Sequence, residues 1–377
     1  MSQRPRTLVL MLASMVWLAA AACNGSTPTV VPDETPEVQC GRLSNANAEK
    51  TVCIPVMAAD VQEQEVTFDS QETAGGKIQL NGTLSTPSFG PDAQAPPKLP
   101  AVLLIAEDGP IGRDGVIAGD LMGPFANPVP VLKDLAAQLA ASGYTVLRYD
   151  KRACTSCGYP DQIQKTAGWV DAVGDAVAAA TYLSAQPGVD AGDLIIVGHG
   201  QGAALALDVH AQVPASAVVM LSSPARAVDV AMIEAMKAFI AQGEASGMDA
   251  KMLEDARNKL SEIESSMVAL KDGSFPEDFP VLGTNLPAFW SGWMAATGGL
   301  RQSLQTFNGE LLYVRGGDDL ETTADEAAMM EEMLAGRQNA EVAILPGLTH
   351  ALHQRGEQGV GAAVGPTIVE FLGKGGR

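Results

Sequence analysis

The strongest constraint on the fold is a rhythm. Continuous apolar runs of strand length, at residues 101–106, 144–149, 194–197 and 217–221, are separated by stretches of helical period at 131–142, 171–185 and 201–212. A strand that is apolar on both faces has to be covered on both faces. This alternation therefore predicts βαβ units around a mostly parallel sheet, an α/β fold. Residues 61–68 and 78–85 alternate apolar with polar instead, and predict an antiparallel pair turning at Ala74, Gly75 and Gly76. A Pro-rich connection, 87–100, leads from that pair into the first parallel strand.

After residue 221 the rhythm stops, to resume only at 311–314 and 342–345, with a final helix from about 361 to 372. The intervening chain is helical in period: 228–272 is rich in Met, Ala and Glu, and 279–305 carries Phe289, Trp290 and Trp293. Residues 225–305 are expected to form a helical lid over the carboxyl edge of the sheet, where open α/β folds bind ligands. A length of 377 residues with 46% hydrophobic content suffices for one large domain, 61–372, and no internal repeat divides it. Lys plus Arg total 24 against 44 Asp plus Glu, a net charge of −20. That balance repels phosphate backbones, so nucleic acid is excluded as a partner, and anionic lipid surfaces are disfavoured by the same sign.

Residues 1–22 read as a secretory signal peptide, with Arg4 and Arg6 ahead of an apolar run at 8–22 that ends in small residues. The approach to Cys23 resembles a bacterial lipobox, which implies acylation of Cys23 and attachment to the membrane through an N-terminal lipid. A secreted protein cut at the same place is the alternative. Asn24 in place of Asp implies, by resemblance to Gram-negative lipoproteins, outer-membrane retention within the bacterial cell envelope. Residues 24–39 lack apolar period, and 23–60 are expected to be a flexible tether with a small N-terminal segment. Setting Cys23 aside leaves Cys40, Cys53, Cys154 and Cys157, an even number in an oxidising setting, and predicts two disulfides. Of the three pairings, proximity favours Cys40 with Cys53 and Cys154 with Cys157. A redox role for Cys154-Thr-Ser-Cys157 is disfavoured, because nothing else in the chain has a thioredoxin pattern.

The chemistry concentrates where the run 194–197 enters Gly198-His199-Gly200-Gln201-Gly202 and then a helix. Strand, sharp turn and helix are the setting of a nucleophile elbow, G-x-S-x-G, whose outer glycines permit close helix–strand approach. Further stretches accompany it: Asp108-Gly109-Pro110, Arg113-Asp114-Gly115, Arg148-Tyr149-Asp150-Lys151-Arg152, Gly316-Gly317-Asp318-Asp319 and Gly347-Leu348-Thr349-His350. In this order they resemble the α/β-hydrolase superfamily over roughly 61–372, closest to its lidded serine esterase and serine aminopeptidase-like group. The resemblance implies an α/β-hydrolase fold, a mostly parallel central sheet flanked by helices, with a helical lid insertion. It implies His350 as general base and Asp319, or the adjacent Asp318, as its orienting acid. The backbone N–H of Gln201 would serve the oxyanion hole. Glu107, Asp108, Gly109, His199 and Trp290 fall around the implied pocket.

Three positions depart from that pattern. Gly200 stands where the family has its nucleophilic serine, and acyl transfer needs an oxygen or sulfur nucleophile that glycine does not have. Loss of such a serine lowers kcat by about 2 × 10⁶ in a serine protease. Glycine also enters without penalty a backbone region that costs other residues roughly 1–3 kcal/mol. Glu107 and Asp108 bring two carboxylates to a loop that should stabilise negative charge, and Ala153 replaces the glycine that usually follows Arg152. Ser222 and Ser223 end a neighbouring strand but sit on no elbow. The expectation is an envelope lipoprotein resembling carboxylic-ester or peptide hydrolases, degenerate at the nucleophile, that binds a small ester, amide or lipid-like ligand in a lidded pocket. Two alternatives stand beside it: a working hydrolase in which Asp319 and His350 activate water, and a non-enzymatic envelope scaffold. No cofactor is expected. No metal is expected either, since His350-x-x-His353 lacks the H-E-x-x-H pattern and a clear helix to carry it.

Overall fold

A computed structural model describes residues 42–46, 53–91, 97–116 and 129–375. The expected signal peptide, Cys23, the tether to residue 39 and Cys40 lie outside the described residues, as does the side chain of Cys53, and with them the Cys40–Cys53 pairing.

Two short strands, β1 (Ser44–Ala46) and β2 (Cys53–Pro55), pair antiparallel as a ribbon. The main sheet is built from β3 (Asp60–Asp69), β4 (Gln79–Ser88), β5 (Leu99–Ile105), β6 (Thr145–Tyr149), β7 (Val189–His199), β8 (Ala217–Leu221), β9 (Glu310–Gly316) and β10 (Ala340–Leu345). Their order is β10-β9-β8-β7-β5-β6-β4-β3. β3 and β4 pair antiparallel as the alternating pattern predicts, β4 meets β6 antiparallel, and all remaining pairs are parallel.

The inner parallel strands are buried on both faces because helices cover both, whereas β10, at the edge of the sheet, is only partly covered. In β5, Leu103 and Ile105 pack with Ala176 and Leu205 on one side, while Val102 and Leu104 pack with Leu135 and Ile368 on the other. Helix α1 (Val131–Ala141) and the C-terminal helix lie on the second face. Helix α2 (Asp161–Thr166) is short. Helices α3 (Trp169–Ser184) and α4 (Gln201–His210) lie on the first face. Helix α3 earns its place through Val173, Ala176, Val177 and Ala180, which recur at helical spacing and are buried.

Between β8 and β9 come four helices: α5 (Val228–Ser246), α6 (Ala250–Asp272), α7 (Pro287–Gly298) and α8 (Leu300–Thr306). Asp249 caps α6 by accepting hydrogen bonds from the backbone N–H groups of Lys251 and Met252, which satisfies donors a helix start otherwise leaves unpaired. Helix α9 (Ala324–Leu334), between β9 and β10, was not expected from the sequence; α10 (Val364–Gly375) closes the chain.

Cys154 and Cys157 form a disulfide in the loop after β6. It braces the turn at Gly112, where an added Cβ would stand 3.0 Å from Cys157 Sγ. Just before it, Arg152 is buried and holds Asp175 of α3 in a two-point ion pair, Nε to Oδ2 at 2.8 Å and Nη2 to Oδ1 at 2.5 Å. Removing one partner of such a buried pair costs up to about 3–5 kcal/mol, and without Asp175 the buried Arg152 would keep Asp171, Nη1 to Oδ1 at 3.5 Å, as its counter-ion. Asp175→Ala is therefore expected to lower unfolding free energy by about 3 kcal/mol in a urea titration, and a loss below about 1 kcal/mol would contradict this role.

Candidate functional site

The edge at which the parallel strands end carries the candidate chemistry. Gly198 and Gly202 must be glycine. A Cβ on Gly198 would lie 2.1 Å from the carbonyl oxygen of Gly202, and one on Gly202 would lie 2.3 Å from that of Ile105. Their absence of side chains lets α4 start directly over β5 and β7. Between them Gly200 adopts φ 51° and ψ −114°, with its N–H donating to the carbonyl of Leu221 at 2.8 Å. This is the sharp, strained turn of an elbow, without a side chain to present.

The place above Gly200 is occupied from elsewhere. Glu107, two residues past β5, extends so that a Cβ on Gly200 would stand 2.9 Å from its Cγ and 3.1 Å from its Oε1. Oε1 lies 2.5 Å from His350 Nε2, and Oε2 lies 3.3 Å from His199 Nδ1. Glu107 thus takes the position, and the contact to His350, that an elbow side chain would have. The sequence expectation that this carboxylate opposes an oxyanion is sharpened by the structure: it points into the site.

His350 sits in the loop after β10, with Nδ1 3.0 Å from Asp319 Oδ2. Asp319 is buried in the loop after β9 and also accepts hydrogen bonds from the N–H groups of Glu321 and Thr322, at 2.9 and 2.8 Å. Asp318 is exposed, and its backbone N–H donates to Leu348 O. Of the two aspartates, Asp319 is the one against His350. The carbonyl of His350 accepts from Ser222 Oγ at 2.8 Å and from His199 Nε2 at 3.0 Å. Ser222 therefore anchors the histidine loop, and Ser223 Oγ donates to the carbonyl of Pro224. His353, the other half of the sequence pair, is engaged with Thr349 Oγ1 at 2.8 Å.

Charge is unevenly distributed on this floor. Burial works against ionisation of Glu107, yet His350 and His199 hold its carboxyl down to about 2. Burial and the neighbouring Glu107 push Asp108 up to about 6, and burial pushes Glu321 well above the carboxylate range. His350 is held well above the usual imidazole value by Asp319 and Glu107 against the opposing effect of burial, while burial lowers His199. Lys151, whose Nζ donates to the carbonyl of Glu107, is lowered to about 8 by burial.

The floor opens into a cavity of about 510 Å³. Glu107, Asp108, Gly109, Gly200, Gln201 and His350 line its base. Its roof comes from the helices after β8, with Met232, Met236, Phe239, Ile263, Trp290 and Trp293. Trp290 is among the lining residues, whereas His199 lies behind Glu107 and is not. The indole N–H groups of Trp290 and Trp293 and the side-chain amide nitrogen of Gln201 are buried without a partner among the described residues. Residues that sequence reasoning missed are Glu321 and Thr322, both lining the cavity beside His350. No sequence motif marks them, and only their position two and three residues past Asp319 could have suggested them.

The alpha/beta hydrolase family model matches residues 118–363. A curated relative, Esterase EstD of Thermotoga maritima, is 27% identical over 278 residues, which span 73% of this chain and 58% of that protein. The chain thus matches somewhat over half the length of that relative. Among solved structures, the alpha/beta hydrolase GrgF from Penicillium sp. sh18 is similar with a TM-score of 0.53 at 15% identity, covering 84% of this chain and 99% of that one. The strand order, the glycine-framed turn and a family match over most of the chain agree, and the chain belongs to the alpha/beta hydrolase family.

Proposed function

We propose that this protein is a degenerate member of its family that binds a small ester, amide or lipid-like ligand beneath its helical roof and does not form an acyl-enzyme. One observation carries the proposal: the carboxylate of Glu107 stands over Gly200, in the space a nucleophile's side chain would fill. Among the described residues no hydroxyl or thiol stands over Gly200 to face His350 Nε2, and the carboxylate sits where charge would develop on an oxyanion. The similarity to Esterase EstD supports the ester class. The apolar roof, with the rings of Trp290 and Trp293 in its lining, suits an acyl chain. Activation of water by His350 alone is less well supported, because Nε2 is already engaged by Glu107 at 2.5 Å.

Short-chain p-nitrophenyl esters and a fluorophosphonate probe test the chemistry. The natural chain is expected to be inert and unlabelled. Gly200→Ser alone is expected to remain so, since its Cβ would meet Glu107 Cγ at 2.9 Å in a backbone region with φ 51°. Gly200→Ser combined with Glu107→Ala is expected to gain label and at least about 10³-fold in turnover, part of the roughly 10⁶ that loss of a nucleophile costs. Ester turnover by the natural chain that disappears in His350→Ala would overturn the proposal.

Binding is tested by calorimetry with a medium-chain methyl ketone, an ester mimic that cannot be hydrolysed. Trp290→Ala removes the indole from the cavity wall, and is expected to weaken binding at least about 10-fold through lost apolar contact. Unchanged affinity would remove the indole from the ligand's contacts. The proposal also places the protein in the cell envelope through a lipid on Cys23. Metabolic labelling with palmitate is expected to mark the protein and to fail in Cys23→Ser, and equal labelling of both would refute the anchor.

A further inference from the structure

Glu107, His199 and His350 come from three separate strand ends, yet a carboxylate oxygen of the first and one ring nitrogen of each histidine all lie within 4.8 Å of one another. What surrounds them selects which nitrogens face inward. His199 Nε2 lies 3.0 Å from the carbonyl oxygen of His350, and a carbonyl only accepts, so the ring donates there and leaves Nδ1 toward Glu107. His350 Nδ1 donates to Asp319 at 3.0 Å and leaves Nε2 toward the same carboxylate. Each inward nitrogen is thus backed by an acceptor on the opposite side of its ring. A carboxylate behind one imidazole and a backbone carbonyl behind another are the outer contacts that orient histidines on a metal. An independent feature points the same way: Glu107 Oε2 is buried, faces His199 Nδ1 at 3.3 Å, and has no hydrogen-bond partner among the described residues. Glu107 itself is only 4% exposed.

We propose that Glu107, His199 and His350 bind a divalent transition-metal ion, with zinc the best match. Two imidazoles and one carboxylate form the borderline donor set that suits zinc and its neighbours, and not the all-oxygen shell of magnesium or calcium. Three protein ligands leave a coordination position free, and two of these residues line the cavity, so that position faces the space assigned to the ligand. Glu321 Oε2, 4.0 Å from His350 Nε2, stands on this open side. The ion replaces the proton shared between His350 Nε2 and Glu107, which passes to solvent, so binding releases one proton and leaves the site one unit more positive. The spacing His350-x-x-His353 plays no part, since His353 turns to Thr349. The inference is independent of the organic ligand and of whether ester is turned over.

The test uses the purified chain stripped with a chelator. Calorimetry with Zn²⁺, the visible absorption of added Co²⁺, and thermal unfolding are followed in the absence of any organic ligand, with Mg²⁺ as control. One Zn²⁺ per chain, a tetrahedral or five-coordinate Co²⁺ spectrum and a raised Tm are expected. Glu107→Gln, nearly the same shape, is expected to abolish saturation at the concentration that saturates the natural chain. Asp319→Asn, acting only through His350, is expected to weaken binding about 10- to 100-fold. His353→Gln is expected to bind as the natural chain does. Absence of Zn²⁺ binding to the natural chain, equal binding of Mg²⁺, or undiminished binding in Glu107→Gln would each overturn the proposal. The first of these outcomes needs no variant to fold.

Discussion

Everything at the site depends on parallel strands that end together. β5, β7, β8 and β9 run side by side, with Ile105 opposite Gly198, His199 opposite Leu221 and Leu221 opposite Val314. Within a few residues of those ends the chain supplies Glu107, Gly200, Ser222 and Asp319, and the loop after β10 adds His350. The register in turn depends on continuous apolar strands covered on both faces, which a parallel sheet requires. Close approach at Gly198 and Gly202 then fixes how deeply α4 sits in the edge.

Gly200 and Glu107 have to be understood as one feature. A side chain at Gly200 and an inward carboxylate at Glu107 compete for the same few ångströms. Where the family's arrangement places a hydroxyl beside the histidine and a small residue in the loop, this chain places nothing on the elbow and a carboxylate in the loop. The local charge changes sign as a result. Negative groups at Glu107 and Asp319 flank His350 on opposite ring nitrogens, and Lys151 ties the backbone of Glu107 from behind. A region shaped to stabilise an anion becomes one suited to holding a cation.

Much of this was legible in the sequence because it is local. A short run rich in β-branched and large apolar residues with no polar side chain, as at β8, reads as a buried strand, and the glycine pattern at 198–202 announces the turn. Helix α9 was not legible. Its buried stripe of Glu326, Ala327, Met330 and Leu334 contains a charged residue, which breaks the apolar period. Glu326 is buried there because it accepts the backbone N–H groups of Ala225 and Arg226 and pairs with the Arg226 side chain, contacts made a hundred residues away. Glu107 is the same kind of case. Its presence in the loop was evident, but its direction is set by two histidines that reach it only after the sheet is assembled.

The roof has a consequence of its own. Of the four tryptophans in the sequence, Trp290 and Trp293 lie in the cavity wall, their rings 5.2 Å apart and tilted by 43°. Because both rings line the cavity, the polarity they sense includes that of whatever fills it. The intrinsic ultraviolet emission of the chain is therefore weighted toward this one compartment. Its occupancy can be followed optically, without a label, even before the occupant has been identified.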